Sequence, residues 1–386
     1  MAQSTLFVRD VPSVVESETG WVEKYPRKRW QRWLVRVGAA LPFAAIAVWY
    51  HLASGGDWSG TPNGELAARV GSLDWSGQSL EAIGALYPFL TSLTAALIPG
   101  GALGLGLAGS LVAGVLLQLV IKAIKRRAFR VDNAVALFTA LAATPLFAYV
   151  ATTNYEATMG LALFCHGMID LRRFVSSANT QAGFRAGVLF ACSALSDSTG
   201  LLAAPAAAAA GVFLFPSRLK SRGANVMVVL FPTVAMLGSL ALLGTVFGAG
   251  PFALFGSDPG WDPALVSAFV ASMQTPSGWA FLAPAAVLLV SGLVLGFRWA
   301  SLTSVIITAL ILLAYFLAVT PVGTAGNAYA MQLIVAIAIT PAFPRGWRRH
   351  VVTATGVLLF AIGWISAFSR TTLISWVEVL TAGGLS

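Results

Sequence analysis

Apolar residues run through this chain in long blocks, neither alternating with polar ones nor recurring on a single helical face. The stretches 112–121, 226–246 and 303–319 show the pattern. Each joins its neighbours into a segment near the ~20 residues that carry a helix across about 30 Å of hydrocarbon. A barrel strand would show period-two alternation, and lipid offers the backbone no hydrogen bonds, so the blocks predict membrane-spanning helices. They place about eleven spans, near 33–52, 102–121, 133–152, 156–171, 184–196, 199–216, 224–248, 277–297, 300–319, 325–343 and 350–368. The fifth and sixth are short because 184–217 must cross and return to the side it left.

One apolar stretch reads differently. Residues 80–101 are interrupted by Pro88, Pro99 and Gly100-Gly101. Counted as a full span, they would send the next helix's basic end, 122–127, to the outer face, against the positive-inside rule. They therefore read as an interfacial or re-entrant helix on the outer side. The predicted class is an all-α, polytopic integral membrane protein. A cytoplasmic arm, 1–33, precedes a single transmembrane domain, 34–386. Within it, 53–101 form the outer loop with its interfacial helix, 102–217 hold spans two to six, and 218–386 hold the C-terminal spans.

Composition agrees. Of 386 residues, 57% are hydrophobic and 10% charged, against about 25% charged in soluble domains; mean hydropathy is +0.79. The net charge of +9 is confined to short clusters at 24–36, 122–130, 172–185, 218–222 and 345–349. Alternate loops carry these clusters, which puts the N-terminus in the cytoplasm, the C-terminus outside, and the protein in a plasma (inner) membrane. The Ala/Gly-rich composition points to a bacterial source. Of the 24 Lys and Arg residues, only Arg69 and Arg370 then fall outside. No basic face with interleaved aromatics accompanies the charge, which argues against nucleic acid as a partner.

Candidate chemistry lies at the outer helix ends. Asp57, Glu65, Asp74, Glu81, Glu156, Asp197, Asp258, Asp262 and Glu378 all fall there. Glu156 and Asp197 stand at tight junctions between two apolar helices, where a carboxylate either caps the next helix or belongs to a site. A lipid phosphate bound at this depth would need a cation, and by elimination the candidates are Arg69, Arg370 and His51. Cys165-His166 has no partner at ligand spacing, so no metal site is expected and a divalent cofactor has no support. Gly104, Gly106 and Gly109 open a lipid-spanning helix, where close helix packing explains them better than phosphate binding.

The order of features in the first third carries a resemblance. A span is followed by an acidic outer loop with Asn63-Gly64-Glu65 and Arg69-Val70-Gly71-Ser72-Leu73, then Leu86-Tyr87-Pro88-Phe89-Leu90. A Gly-rich span comes next, and later an outer turn Thr152-Thr153-Asn154-Tyr155-Glu156. This resembles the membrane glycosyltransferases of the C type (GT-C) over about 33–217. The resemblance implies transfer of a sugar from a polyprenyl-phosphate donor at the outer face, with Glu65, Asp57 and Glu156 as catalytic carboxylates. Here the family's Asp-Glu pair is reduced to Glu65, with Asp57 an alternative occupant, and Asp197 stands where members often carry Lys or Arg. A non-catalytic GT-C-fold scaffold or lipid-binding subunit of a membrane complex, and a transporter, stay open as alternatives. Implied partners are the lipid-linked sugar or another lipid, the surrounding membrane lipids and other membrane subunits.

Overall fold

The computed structural model describes residues 25–73, 86–217, 219, 221–247, 250–255, 259–320, 325–342, 344, 346–368 and 371–382, and these form helices and loops with no strand. Of the described residues, 82% are helical. The helices in order are α1 (Arg29–Ala53), α2 (Pro62–Gly71), α3 (Phe89–Ala96), α4 (Gly101–Arg126), α5 (Val131–Ala142), α6 (Pro145–Thr153), α7 (Tyr155–Ser177) and α8 (Thr180–Ala194). There follow α9 (Ser198–Leu214), α10 (Arg222–Phe247), α11 (Pro263–Ser272), α12 (Pro276–Leu295), α13 (Arg298–Phe316), α14 (Ala325–Ile339), α15 (Arg348–Phe368) and α16 (Thr371–Ala382). Six of them, α1, α4, α10, α12, α13 and α15, are long and apolar enough to cross a membrane, or seven spans if bent α5–α6 counts as one. The others fall short in length, as α8, α9 and α14 do, or carry charge, as α7 does at Asp170, Arg172 and Arg173.

Hydrogen bonds sort the helix termini into two ends of the bundle. At one, Gln118 of α4 donates to Tyr25 O ahead of α1 (2.6 Å), and Arg127 beyond α4 donates to Ile337 O of α14. Thr353 of α15 bonds Asn133 of α5 (2.8 Å), and Arg222 of α10 reaches Phe213 O of α9. This is the basic end. At the other, Trp49 of α1 donates to Leu380 O of α16 (2.9 Å), Leu90 N to Leu195 O (3.0 Å) and Asp262 N to Phe316 O (2.9 Å). Asp57, Glu65, Glu156, Asp197, Asp262 and Glu378 collect here, whereas Asp132 and Asp170 lie at the basic end.

Local chemistry explains three departures from the sequence reading. First, α1 begins at Arg29, before the expected arm boundary at 33, because Arg32 turns back onto Pro26 O (3.0 Å) and Arg27 O (2.8 Å). Second, the third block is bent by 50° between α5 and α6. Pro145 has no N–H to continue the helix, Thr144 caps the new one, and Trp364 Nε1 covers the released Ala143 carbonyl at 3.1 Å. Third, helices α11 and α16 were not anticipated. Within 80–101, α3 has eight residues, about 12 Å at 1.5 Å per residue. That is far too short to cross, and both its flanks lie at the carboxylate end. Residues 80–85 lie outside the described set, as does most of the N-terminal arm.

Two packing features hold the bundle. Small residues let helices touch: a Cβ on Gly114 would lie 2.2 Å from Arg36 O, and Cβ atoms on Gly106 and Gly109 would lie 2.8 and 2.7 Å from the Thr152 and Ala151 carbonyls. The axis is α14, buried along nearly its whole length. Its Tyr329 hydroxyl lies 2.8 Å from both Ala140 O and Leu359 O, and Gln332 bonds Ser304 and Thr308 of α13.

Candidate functional site

The short helix α2, at the carboxylate end, is clamped onto the junction between α6 and α7. Thr61 caps it by accepting from Gly64 N (3.1 Å), and Pro62 starts it with a φ already helical. The buried Asn63 then makes the clamp. Its Nδ2 donates to Thr152 O (3.1 Å) and its Oδ1 accepts from Tyr155 N (2.8 Å). Replacing Asn63 by Ala should leave the Tyr155 N–H buried without a partner. A loss of about 1–3 kcal/mol is expected, read as a lower Tm of the detergent-solubilised protein.

With α2 fixed, Glu65 and Arg69 share one of its faces at i, i+4. Arg69 forms an ion pair with Glu156 in the first turn of α7 and donates to Ser92 Oγ of α3 (3.2 Å), while its Nε makes no hydrogen bond. The Arg69 and Glu156 side chains are 31% and 18% exposed, sheltered enough for the pair to exceed an ordinary surface contact. Glu156 does not cap α7. Asn154 does, accepting from Ala157 N at 2.9 Å, so the Glu156 carboxylate is left for Arg69. Glu65 is exposed and has no ion pair among the described residues.

Asp197 does cap, accepting from Thr199 N (3.1 Å) at the start of α9, and it takes a second hydrogen bond from Asn327 Nδ2 of α14. It packs against Gly160, where an added Cβ would meet Asp197 Cβ at 3.0 Å. Gly160 lies one turn along α7 from Glu156. Glu156 is thus within electrostatic range of both Asp197 and Glu65. The short helix α3 closes the arrangement: Thr91 donates to Ser196 O (3.0 Å), Tyr87 to Ala194 O (3.2 Å), and Tyr155 to Thr94 Oγ1 (3.1 Å).

Asp57 and His51 make contacts of their own. Asp57 is fully exposed and accepts from Ser59 N at 2.7 Å, a bond that holds its carboxyl below the usual carboxylate range. His51 accepts from Trp58 Nε1 through Nδ1 (3.0 Å), so that nitrogen is taken up by the indole. Arg370, Asp74, Glu81 and Asp258 lie outside the described residues. Asp262 caps α11, accepting from Ala264 N (2.8 Å). Among the described residues, no three His, Cys, Asp or Glu side chains gather as a metal would require. Sequence reasoning treated Asn63 only as part of a weakened motif and passed over Ser92 and Asn327. The Thr61-Pro62-Asn63 helix start was the one available signal. The chain matches no protein-family model, no curated protein and no solved structure.

Proposed function

We propose that the protein is a GT-C-like membrane glycosyltransferase that takes its sugar from a polyprenyl phosphate at the outer face of a bacterial plasma membrane. The proposal includes eleven crossings: α1, α4, bent α5–α6, α7, α8, α9, α10, α12, α13, α14 and α15, with the basic end in the cytoplasm. The supporting observation is the arrangement around Arg69. A guanidinium whose Nε is unused among the described residues stands between Glu156 and Ser92, on the same helix face as a carboxylate with no ion-pair partner among them. Glu65 would act as general base, taking the proton of the acceptor hydroxyl as its oxygen attacks the anomeric carbon. The bond from that carbon to the phosphate oxygen breaks, and polyprenyl phosphate departs with its charge against Arg69. Glu156 positions that arginine. Asp57 has no part in the step.

The test uses membranes containing the protein, incubated with a panel of radiolabelled polyprenyl-phosphate hexoses and pentoses. Donor-dependent release of polyprenyl phosphate is the expected result, and its absence across the panel overturns the reading. Single cysteines near Trp261 should react with an impermeant maleimide in intact cells, and cysteines near Lys125 should not. One observation favours the scaffold alternative: Asp197 is held by Thr199 and Asn327, and Arg69 by Glu156 and Ser92. A scaffold would bind the donor without turning it over.

A further inference from the structure

The turn between α8 and α9 buries a charge that the transfer chemistry leaves unused. Asp197, 6% exposed, has no ion pair among the described residues, and Arg69 is held by Glu156 and Ser92. The ionisable side chains within electrostatic range of Asp197, Glu156 and Tyr87, are themselves acids. Thr199 N and Asn327 Nδ2 donate to the carboxylate, and the start of α9 offsets it by roughly half a charge. About half of a negative charge is then left inside an apolar bundle, a costly arrangement without a counter-ion.

Two orphaned oxygens beside it narrow the choice. Asn327 is 1% exposed, and its Oδ1 has no hydrogen-bond partner among the described residues. That oxygen shares a planar amide with the Nδ2 that faces Asp197, so it lies beside the carboxylate. Thr199, 2% exposed, keeps its hydroxyl near the carboxylate but outside hydrogen-bonding geometry. Rotating the Asn327 amide gives no relief, because its NH2 would then be the orphan. A proton on Asp197 would cancel the charge and still leave one end of that amide unpaired. A cation answers both needs.

We propose that Asp197, Asn327 Oδ1 and Thr199 Oγ1 hold a partly dehydrated alkali cation, sodium or potassium, between the α8–α9 turn and α14. Hard cations take oxygen ligands of this kind. A divalent ion would bring a second charge with nothing to match it, and no three His, Cys, Asp or Glu side chains gather among the described residues. Small residues seat the ligands: a Cβ on Gly160 would meet Asp197 Cβ at 3.0 Å, and one on Gly326 would meet Val150 Cγ2 at 2.6 Å. The ion ties α9 to α14, whose contributing residues lie 130 apart in sequence. The inference is independent of the transferase reading.

Thermal unfolding of the detergent-purified chain tests it, in sodium, potassium or choline chloride at one ionic strength. Tm should rise saturably with sodium or potassium and not with choline, and the ion with the larger rise is the occupant. An equal response to all three salts is screening, and it would overturn the proposal, as would no response to any. Equilibrium binding of radiolabelled sodium, and of rubidium in place of potassium, gives a second measurement on the unaltered chain. One ion per chain should bind, displaced by unlabelled sodium or potassium but not by choline. Asp197→Asn keeps a helix cap and removes the charge, so it should bind neither ion. Asn327→Ala should need at least about tenfold more cation for half-saturation. The Asp57→Asn control should bind as the unaltered chain does. Retention of the ion by the Asp197→Asn protein, or no ion bound to the unaltered chain, would overturn the assignment.

Discussion

Replacing Glu65 by Gln is expected to lower sugar transfer by about 10²–10⁴-fold, the range for losing a positioned general base. Donor binding should change little, because Arg69, Ser92 and Glu156 keep their contacts. The prediction separates the three carboxylates that sequence alone left equivalent. Glu156 is occupied by Arg69, so Glu156→Gln should weaken donor binding and lower the Tm by releasing that guanidinium. Asp57 accepts from Ser59 N–H and makes no hydrogen bond to the cluster among the described residues, and Asp57→Asn should transfer sugar at close to the unaltered rate. Measuring turnover at saturating and at limiting donor distinguishes the cases. If Glu65→Gln keeps full turnover while Asp57→Asn loses it, the assignment of the base is wrong.

The largest loss of stability is expected from Asp170→Asn. The buried carboxylate serves Arg173 and Arg185 together, and removing one partner of a buried ion pair costs about 3–5 kcal/mol, because the other charge stays desolvated. Arg185→Gln should cost much less, since that side chain is 46% exposed and solvent already screens it. Adding Arg173→Met to Asp170→Asn should recover part of the loss, since apolar replacements of a buried pair are often neutral. Thermal unfolding in detergent reads all three. An Asp170→Asn protein with an unaltered Tm would refute the account of this end.

How much of this was legible beforehand depends on which physics wrote the signal. Long apolar blocks are imposed by the solvent, and α1, α4, α10, α12, α13 and α15 follow them closely. The glycines at 106 and 109 were readable too, because a small residue repeated on one face of a lipid-spanning helix has few uses besides close approach. The bend at Thr144-Pro145 could have been foreseen from Pro145, but whether a proline kinks or starts a helix depends on what covers the released carbonyl. Here Trp364 does, from 221 residues away in sequence. Asn63 and Arg69 show the same limit at the candidate site. Their partners, Thr152, Tyr155 and Glu156, lie 87 to 92 residues further along. Composition could nominate Arg69 as a rare outer cation, but only the clamp made by Asn63 assigns it Glu156.

The burial of α14 has a consequence for how the chain is made. Synthesis runs from the N-terminus, so α14 reaches the translocon before α15 exists, yet Leu359 of α15 is one of the two acceptors beside the Tyr329 hydroxyl. A 15-residue helix carrying Asn327 and Gln332 is a poor substrate for release into lipid alone. Its other polar partners, on α9 and α13, are already in place by then. On the eleven-crossing reading, nascent α14 would enter the membrane by docking onto helices made earlier, and the second acceptor beside its Tyr329 hydroxyl arrives only once 348–368 emerge from the ribosome.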